Sequence, residues 1–182
     1  MRTTSSTAVL ASPANWVTLG RGLLVLGCAA VVILALLGTL PMRSWWLLVL
    51  AVPALILDAV DGAVARRTGT VSPFGARLDM ETDAALLLVL SVPAAATAGW
   101  WILLIGLLRY LFVAASALRP LLRAPLPFSQ FRRTTAAVQG IALCLALVPL
   151  FPVAAAPVVS AASLALLVVS FGRDVLYLER RG

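Results

Sequence analysis

Four aspartates hold most of the chemistry available to this sequence. Asp58 and Asp61 stand three residues apart and Asp79 and Asp83 four apart, in stretches that are otherwise apolar. On a helix, either spacing projects both carboxylates from one face. Two such helices, antiparallel and joined by a short loop, can bring all four together. A lone carboxylate buried against lipid costs several kcal/mol or takes up a proton, so something must neutralise the group. Hard oxygen donors of this kind suit Mg²⁺ or Mn²⁺, and four carboxylates can hold two ions. Two ions are a recurring clamp for displacement at phosphorus, steadying the attacking and leaving oxygens.

The residues between the aspartates suit a nucleotide diphosphate. Gly62 and Ala65 remove side-chain bulk on the aspartate face, so a flat base or ribose could approach the helix backbone. Arg66 follows as a phosphate-directed guanidinium. Each of the three read alone is equally a packing residue or an interfacial anchor; their combination with the aspartates points to a site.

The elements that position these residues are membrane helices. Of 182 residues, 62% are hydrophobic, and the mean hydropathy of +1.06 lies well outside the soluble range. No Ser/Pro/Gly linker or charge block divides the chain, so residues 1–182 are expected to form a single membrane domain. The net charge of +7 comes from arginine alone, and the lack of lysine and histidine removes imidazole as base or ligand. Cys28 and Cys144 lie inside apolar runs and read as buried packing residues. The string before Cys28 superficially resembles a lipoprotein cleavage box, but Arg21 interrupts the apolar run such a signal needs. The arginines flank apolar spans and form no exposed stripe, which argues against nucleic acid as a partner.

The predicted fold is all-α: an integral membrane bundle of six transmembrane helices with a short N-terminal interfacial helix over Thr18 to Arg21. The spans are expected at about 22–40, 45–64, 74–98, 100–118, 134–148 and 153–171, with the pairs Trp45–Trp46 and Trp100–Trp101 at interfaces. Arg119 to Arg133 reads as a polar loop. Arg109, in the middle of the fourth span, needs a wet cavity, a carboxylate or an exit to the surface. Nearly all arginines fall on one side of this layout, with Arg43 alone opposite, which predicts cytoplasmic termini and a cytoplasmic aspartate region in a multi-pass plasma-membrane protein.

The pattern Asp58-x2-Asp61-Gly62-x2-Ala65-Arg66-x8-Gly75-x3-Asp79-x3-Asp83 resembles the signature of the CDP-alcohol phosphatidyltransferase family. The resemblance is specific in this stretch and agrees with the six-span layout elsewhere. It implies transfer of a phosphatidyl-type group from a CDP-linked lipid such as CDP-diacylglycerol to an alcohol hydroxyl, with release of CMP. It further implies that Asp58, Asp61, Asp79 and Asp83 ligate two divalent cations, that Asp83 is also the general base, and that the protein is a homodimer. Gly62, Arg66 and Ser72 would contact the CDP moiety, with Ala65 and Gly75 giving it room. Pro13-Ala14-Asn15-Trp16-Val17-Thr18 resembles the family element before the first span and keeps Asn15 as a nucleotide contact, with Ala14 where proline is usual. Arg109, Arg119, Arg132 and Arg133 are candidates for binding a phosphorylated polyol acceptor. Arg132 to Thr135 ahead of Gln139 loosely resembles glycerophosphate-accepting members, so glycerol 3-phosphate is the first choice and inositol phosphate the second. The alternatives are a membrane cation transporter and a non-catalytic membrane protein that binds metal through the acidic cluster.

Overall fold

Apolar runs bounded by proline, glycine and tryptophan fold as helices in the computed structural model, which describes residues 13–68, 73–119 and 129–179. In chain order these are α1 (Pro13–Leu36), α2 (Trp45–Thr68), α3 (Pro73–Ala98), a 3-10 turn (Trp100–Ile102), α4 (Leu103–Leu118), α5 (Gln130–Leu147) and α6 (Ala156–Glu179). There is no strand among the described residues. The architecture is an all-α membrane bundle. Four segments, in α1, in α3, in α4 with its leading turn, and in α6, are long and apolar enough to cross a bilayer. The apolar part of α2, Trp45–Val60, is shorter, and α5 opens on Arg132, Arg133, Thr134 and Thr135.

Local chemistry sets the helix ends. Pro13 and Pro73 sit at first helical positions, where a missing N–H costs nothing. Ser129 caps α5 by accepting the Arg132 backbone N–H at 3.4 Å. After α1 the chain turns at Gly38, whose φ of 78° is ready for glycine and strained for other residues.

The structure departs from the expected layout in three places. Thr18 to Arg21 belong to α1, which runs unbroken from Pro13 to Leu36, so no separate interfacial helix precedes the first span there. Nothing in Gly20-Arg21-Gly22 forbids a helical backbone, and the Arg21 charge is met by carboxylates inside the bundle and needs no interface. The expected start of the fifth helix at Thr134 moves back to Gln130, and α6 continues past Phe171 to Glu179. In both cases ion pairs satisfy charged residues that the sequence reading had placed outside helices.

The connectivity is up and down, but neighbours in sequence are not always neighbours in space. Helix α1 lies against both α2 and α3, which barely touch each other; α3 also packs on α4 and α5, and α5 on α6 and α2. The interior between them is filled by Cys28, Ala51, Ala54, Leu90, Ala94 and Leu143. Small residues let the backbones approach where lipid gives little hydrophobic drive to helix pairing. Gly106 on α4 is the closest such approach, because a Cβ there would meet the Leu88 backbone and come within 2.8 Å of Ser91 Oγ. Gln139, fully buried, ties α5 to α6 by donating from Nε2 to the Ser163 carbonyl at 2.7 Å. Arg43 donates to the carbonyls of Val148 and Phe151, which puts the α1–α2 and α5–α6 turns at one end of the bundle. The aspartates lie at the other.

Gly106→Ala should therefore lower the thermal unfolding midpoint in detergent, at a cost of about 1–3 kcal/mol for overpacking. Gly172→Ala, in a helix interior where an added Cβ meets nothing within 4 Å, should leave the midpoint unchanged or slightly raised.

Candidate functional site

Helix geometry puts Asp58 near the end of the apolar part of α2, and Asp79 and Asp83 on one face of α3 near its start. The described backbones of α2 and α3 come close at few points, yet their carboxylates converge, with one oxygen each of Asp58, Asp79 and Asp83 within 4.8 Å of the others. They meet around a residue of α1. Arg21 donates from Nη1 to Asp79 Oδ1 and from Nη2 to Asp83 Oδ1, and its Nη1 lies 3.0 Å from Asp58 Oδ1. The guanidinium is only 1% exposed, whereas the three aspartates are 36%, 38% and 34% exposed. The cation is the floor of the site and the carboxylates are its open rim.

Three carboxylates meet one guanidinium, so within this contact the acidic groups outnumber the cation. At separations near 4.8 Å each carboxylate pair repels by roughly 3 kcal/mol at an effective dielectric of about 20. The attractions to Arg21 are of similar size, so the cluster is held together without being neutralised. Arg133, in the first turns of α5, adds a further positive influence on Asp58.

The donor set fits a hard divalent ion. One carboxylate oxygen from each of Asp58, Asp79 and Asp83 lies within 4.8 Å of the others. Ligand oxygens on an octahedral Mg²⁺ stand about 3 Å apart when adjacent and about 4 Å when opposed. The carboxylates therefore need to close by at most about 2 Å, and their partial exposure leaves room for water or a phosphate oxygen on the outer side.

The other residues singled out in the sequence fall as follows. Asp61, Gly62, Ala65 and Arg66 continue the helical backbone of α2, and Asn15 that of α1, with side chains outside the described residues. Ser72 also lies outside them. Gly75 is in the first turn of α3, half-buried. Arg109 pairs with Glu81, which resolves the question raised by its depth in α4. Glu81 is two residues from both Asp79 and Asp83, so it points to the other side of α3. Arg119 follows the last turn of α4, 3.6 Å from Glu179, as an exposed pair. Arg132 lies 3.6 Å from Asp174 of α6, and next to it the Arg173 guanidinium stacks 4.8 Å over the Phe131 ring. Arg132 and Arg133 thus stand on a helix and not in the polar loop the sequence suggested.

Sequence reasoning treated Arg21 only as an interruption of an apolar run, and it passed over Glu81. The signal was present in both cases: a charge inside a lipid-length helix requires a partner of opposite sign.

Comparison with known proteins identifies the family. The family model for CDP-alcohol phosphatidyltransferase matches residues 11–170. The chain belongs to this family. It is 32% identical over 124 residues to a probable phosphatidylglycerophosphate synthase of Mycobacterium tuberculosis, a match covering 66% of this chain and 59% of that protein. The chain thus spans about three-fifths of the length of that relative. A shorter match, 61% identical over 36 residues, covers 20% of this chain and 19% of the archaetidylinositol phosphate synthase of Aeropyrum pernix. No solved structure gives a significant match.

If the carboxylates hold a divalent ion, Mg²⁺ or Mn²⁺ at about 100 times its dissociation constant should stabilise the protein by about 2.7 kcal/mol. For a chain of this size that is a rise of roughly 5–10 °C in Tm. Asp58→Asn and Asp79→Asn should each remove most of the rise and Asp83→Asn only part of it, measured by thermal unfolding in detergent with metal and with chelator.

Proposed function

We propose that this protein transfers a phosphatidyl-type group from a CDP-linked lipid, such as CDP-diacylglycerol, to the hydroxyl of a small alcohol, with release of CMP. The observation that carries this reading is the convergence of Asp58, Asp79 and Asp83 at one end of an apolar bundle, with ligand oxygens within 4.8 Å. Membership of the family supports the reaction class. A cation transporter would place its carboxylates near the bilayer midplane, commonly in repeated halves; these lie toward one end of the bundle, beside Arg132 and Arg133 of α5.

In this reading Asp58, Asp61, Asp79 and Asp83 hold two divalent cations, Mg²⁺ or Mn²⁺, which supply charge neutralisation at the donor pyrophosphate. Asn15, Gly62, Arg66 and Ser72 contact the CDP moiety, and Ala65 and Gly75 leave it room. Asp83 accepts the proton of the acceptor hydroxyl. The acceptor oxygen then bonds to the lipid-linked phosphorus as the bond from that phosphorus to the CMP oxygen breaks. The carboxylate exposure of about a third leaves Asp83 reachable by a small alcohol.

The acceptor phosphate falls to Arg119, Arg132 and Arg133, with Arg109 kept by Glu81. Glycerol 3-phosphate is the first choice of acceptor, supported by the name of the relative with the longer match, and inositol phosphate the second, supported by that of the shorter. The whole chain, residues 1–182, acts as one membrane domain, a homodimer in the plasma membrane. All six helices span, and the aspartate end faces the cytoplasm. Arg43 at the opposite end and the arginines of α5 and α6 at this one support that orientation.

The test is CMP release and lipid product from CDP-diacylglycerol in detergent with Mg²⁺ or Mn²⁺ and a panel of alcohols. Turnover with glycerol 3-phosphate is expected, and Asp83→Asn should abolish it while leaving CDP-lipid binding largely intact. No turnover with any acceptor, and wild type indistinguishable from Asp83→Asn, would remove the enzyme reading. In the same assay Arg133→Gln should raise KM for the acceptor at least tenfold with a smaller change in kcat.

A further inference from the structure

The most deeply buried charge in the described residues belongs to none of the motifs read from the sequence. Arg21 is 1% exposed, and its two terminal nitrogens reach one oxygen each on Asp58, Asp79 and Asp83. Its Nε has no hydrogen-bond partner. Arg43 and Arg109 have the same unpartnered Nε, so it is the terminal nitrogens that set Arg21 apart. They are committed to the carboxylates that are spaced for a metal.

From this geometry we infer that Arg21 is the internal counter-cation of the acidic cluster, holding the three carboxylates together without metal and competing with divalent ions for their oxygens. The inference rests on the reading that these aspartates bind metal. Without a cation the three carboxylates would repel one another and drive α2 and α3 away from α1, the helix on which both pack. With Arg21 in place the cluster persists, and its excess of carboxylates over the one guanidinium still draws a divalent ion. An ion that takes the Arg21-bound oxygens must displace the guanidinium from them, so part of its binding free energy is spent on that exchange. The device keeps the site assembled when it holds no ion, and it weakens the hold on ions that must later make room for a pyrophosphate.

The test is Mn²⁺ binding, followed by the electron paramagnetic resonance signal of the free ion, on the full chain in detergent. Wild type, Arg21→Gln and Arg21→Lys are compared, with thermal unfolding in chelator as the second readout. Both variants should bind Mn²⁺ more tightly, Arg21→Gln by tenfold or more. Both should unfold at lower temperature than wild type in chelator and recover most of the difference in Mn²⁺. Lysine keeps the charge but loses the fork that reaches several carboxylates at once, so it should fall between wild type and glutamine. If Arg21→Gln cannot be obtained folded, the lysine variant decides by the same sign of change. Unchanged or weaker Mn²⁺ binding in the variants, with wild type binding normally, would overturn the inference and leave the metal reading standing. Absence of Mn²⁺ binding by wild type would overturn both.

Discussion

Everything at the functional end of this bundle depends on one electrostatic constraint: three carboxylates from two helices are gathered within ion-binding distance of one another inside an apolar protein. Like charges at such separations do not assemble unaided. The structure meets the constraint with a third helix. Helix α1 lies between α2 and α3 and offers the Arg21 guanidinium to Asp58, Asp79 and Asp83 together. Among the described residues α2 and α3 have few backbone approaches, and the space between them at this end is taken by the guanidinium and the carboxylates. A tight interface between them would leave no room for the cation or for the ion that the remaining charge attracts.

The same logic orders the charges elsewhere. Glu81 leaves the aspartate face of α3 and is met by Arg109 from α4, so the third carboxylate on that helix adds little to the repulsion. Asp174 of α6 faces Arg132 of α5, and Glu179 faces Arg119 beyond α4. These pairs lie at the end of the bundle that holds the aspartates, while Arg43 serves the opposite end by closing on backbone carbonyls. Among the described residues the charges that lie deep in helices, Arg21 and Arg109, meet carboxylates, which is the condition under which they can coexist with lipid.

Much of this was legible in the sequence. The apolar runs and their Pro, Gly and Trp boundaries gave the helices, because in lipid the backbone can satisfy its hydrogen bonds only within a helix or a closed barrel. The spacing of Asp79 and Asp83 put them on one face without any tertiary information. What could not be read was which helix would stand between the two aspartate pairs, since that depends on packing between segments distant in sequence. Arg21 was visible only as a flaw in an apolar run, and its partners lie 37, 58 and 62 positions further along the chain. Charge also misled the reading of boundaries. Arg132 and Arg133 looked like loop residues because they are basic, yet Ser129 caps α5 and Asp174 stands 3.6 Å from Arg132, so the first turn of the helix accommodates them.

The most direct test of the account is the position of a bound ion. Crystals grown with Mn²⁺ should show an anomalous scattering peak bounded by Asp58, Asp79 and Asp83, with the Arg21 guanidinium withdrawn from at least one of them. A cluster still bridged by Arg21 at saturating Mn²⁺ with no peak among its carboxylates, or a peak bound elsewhere in the chain, would contradict it.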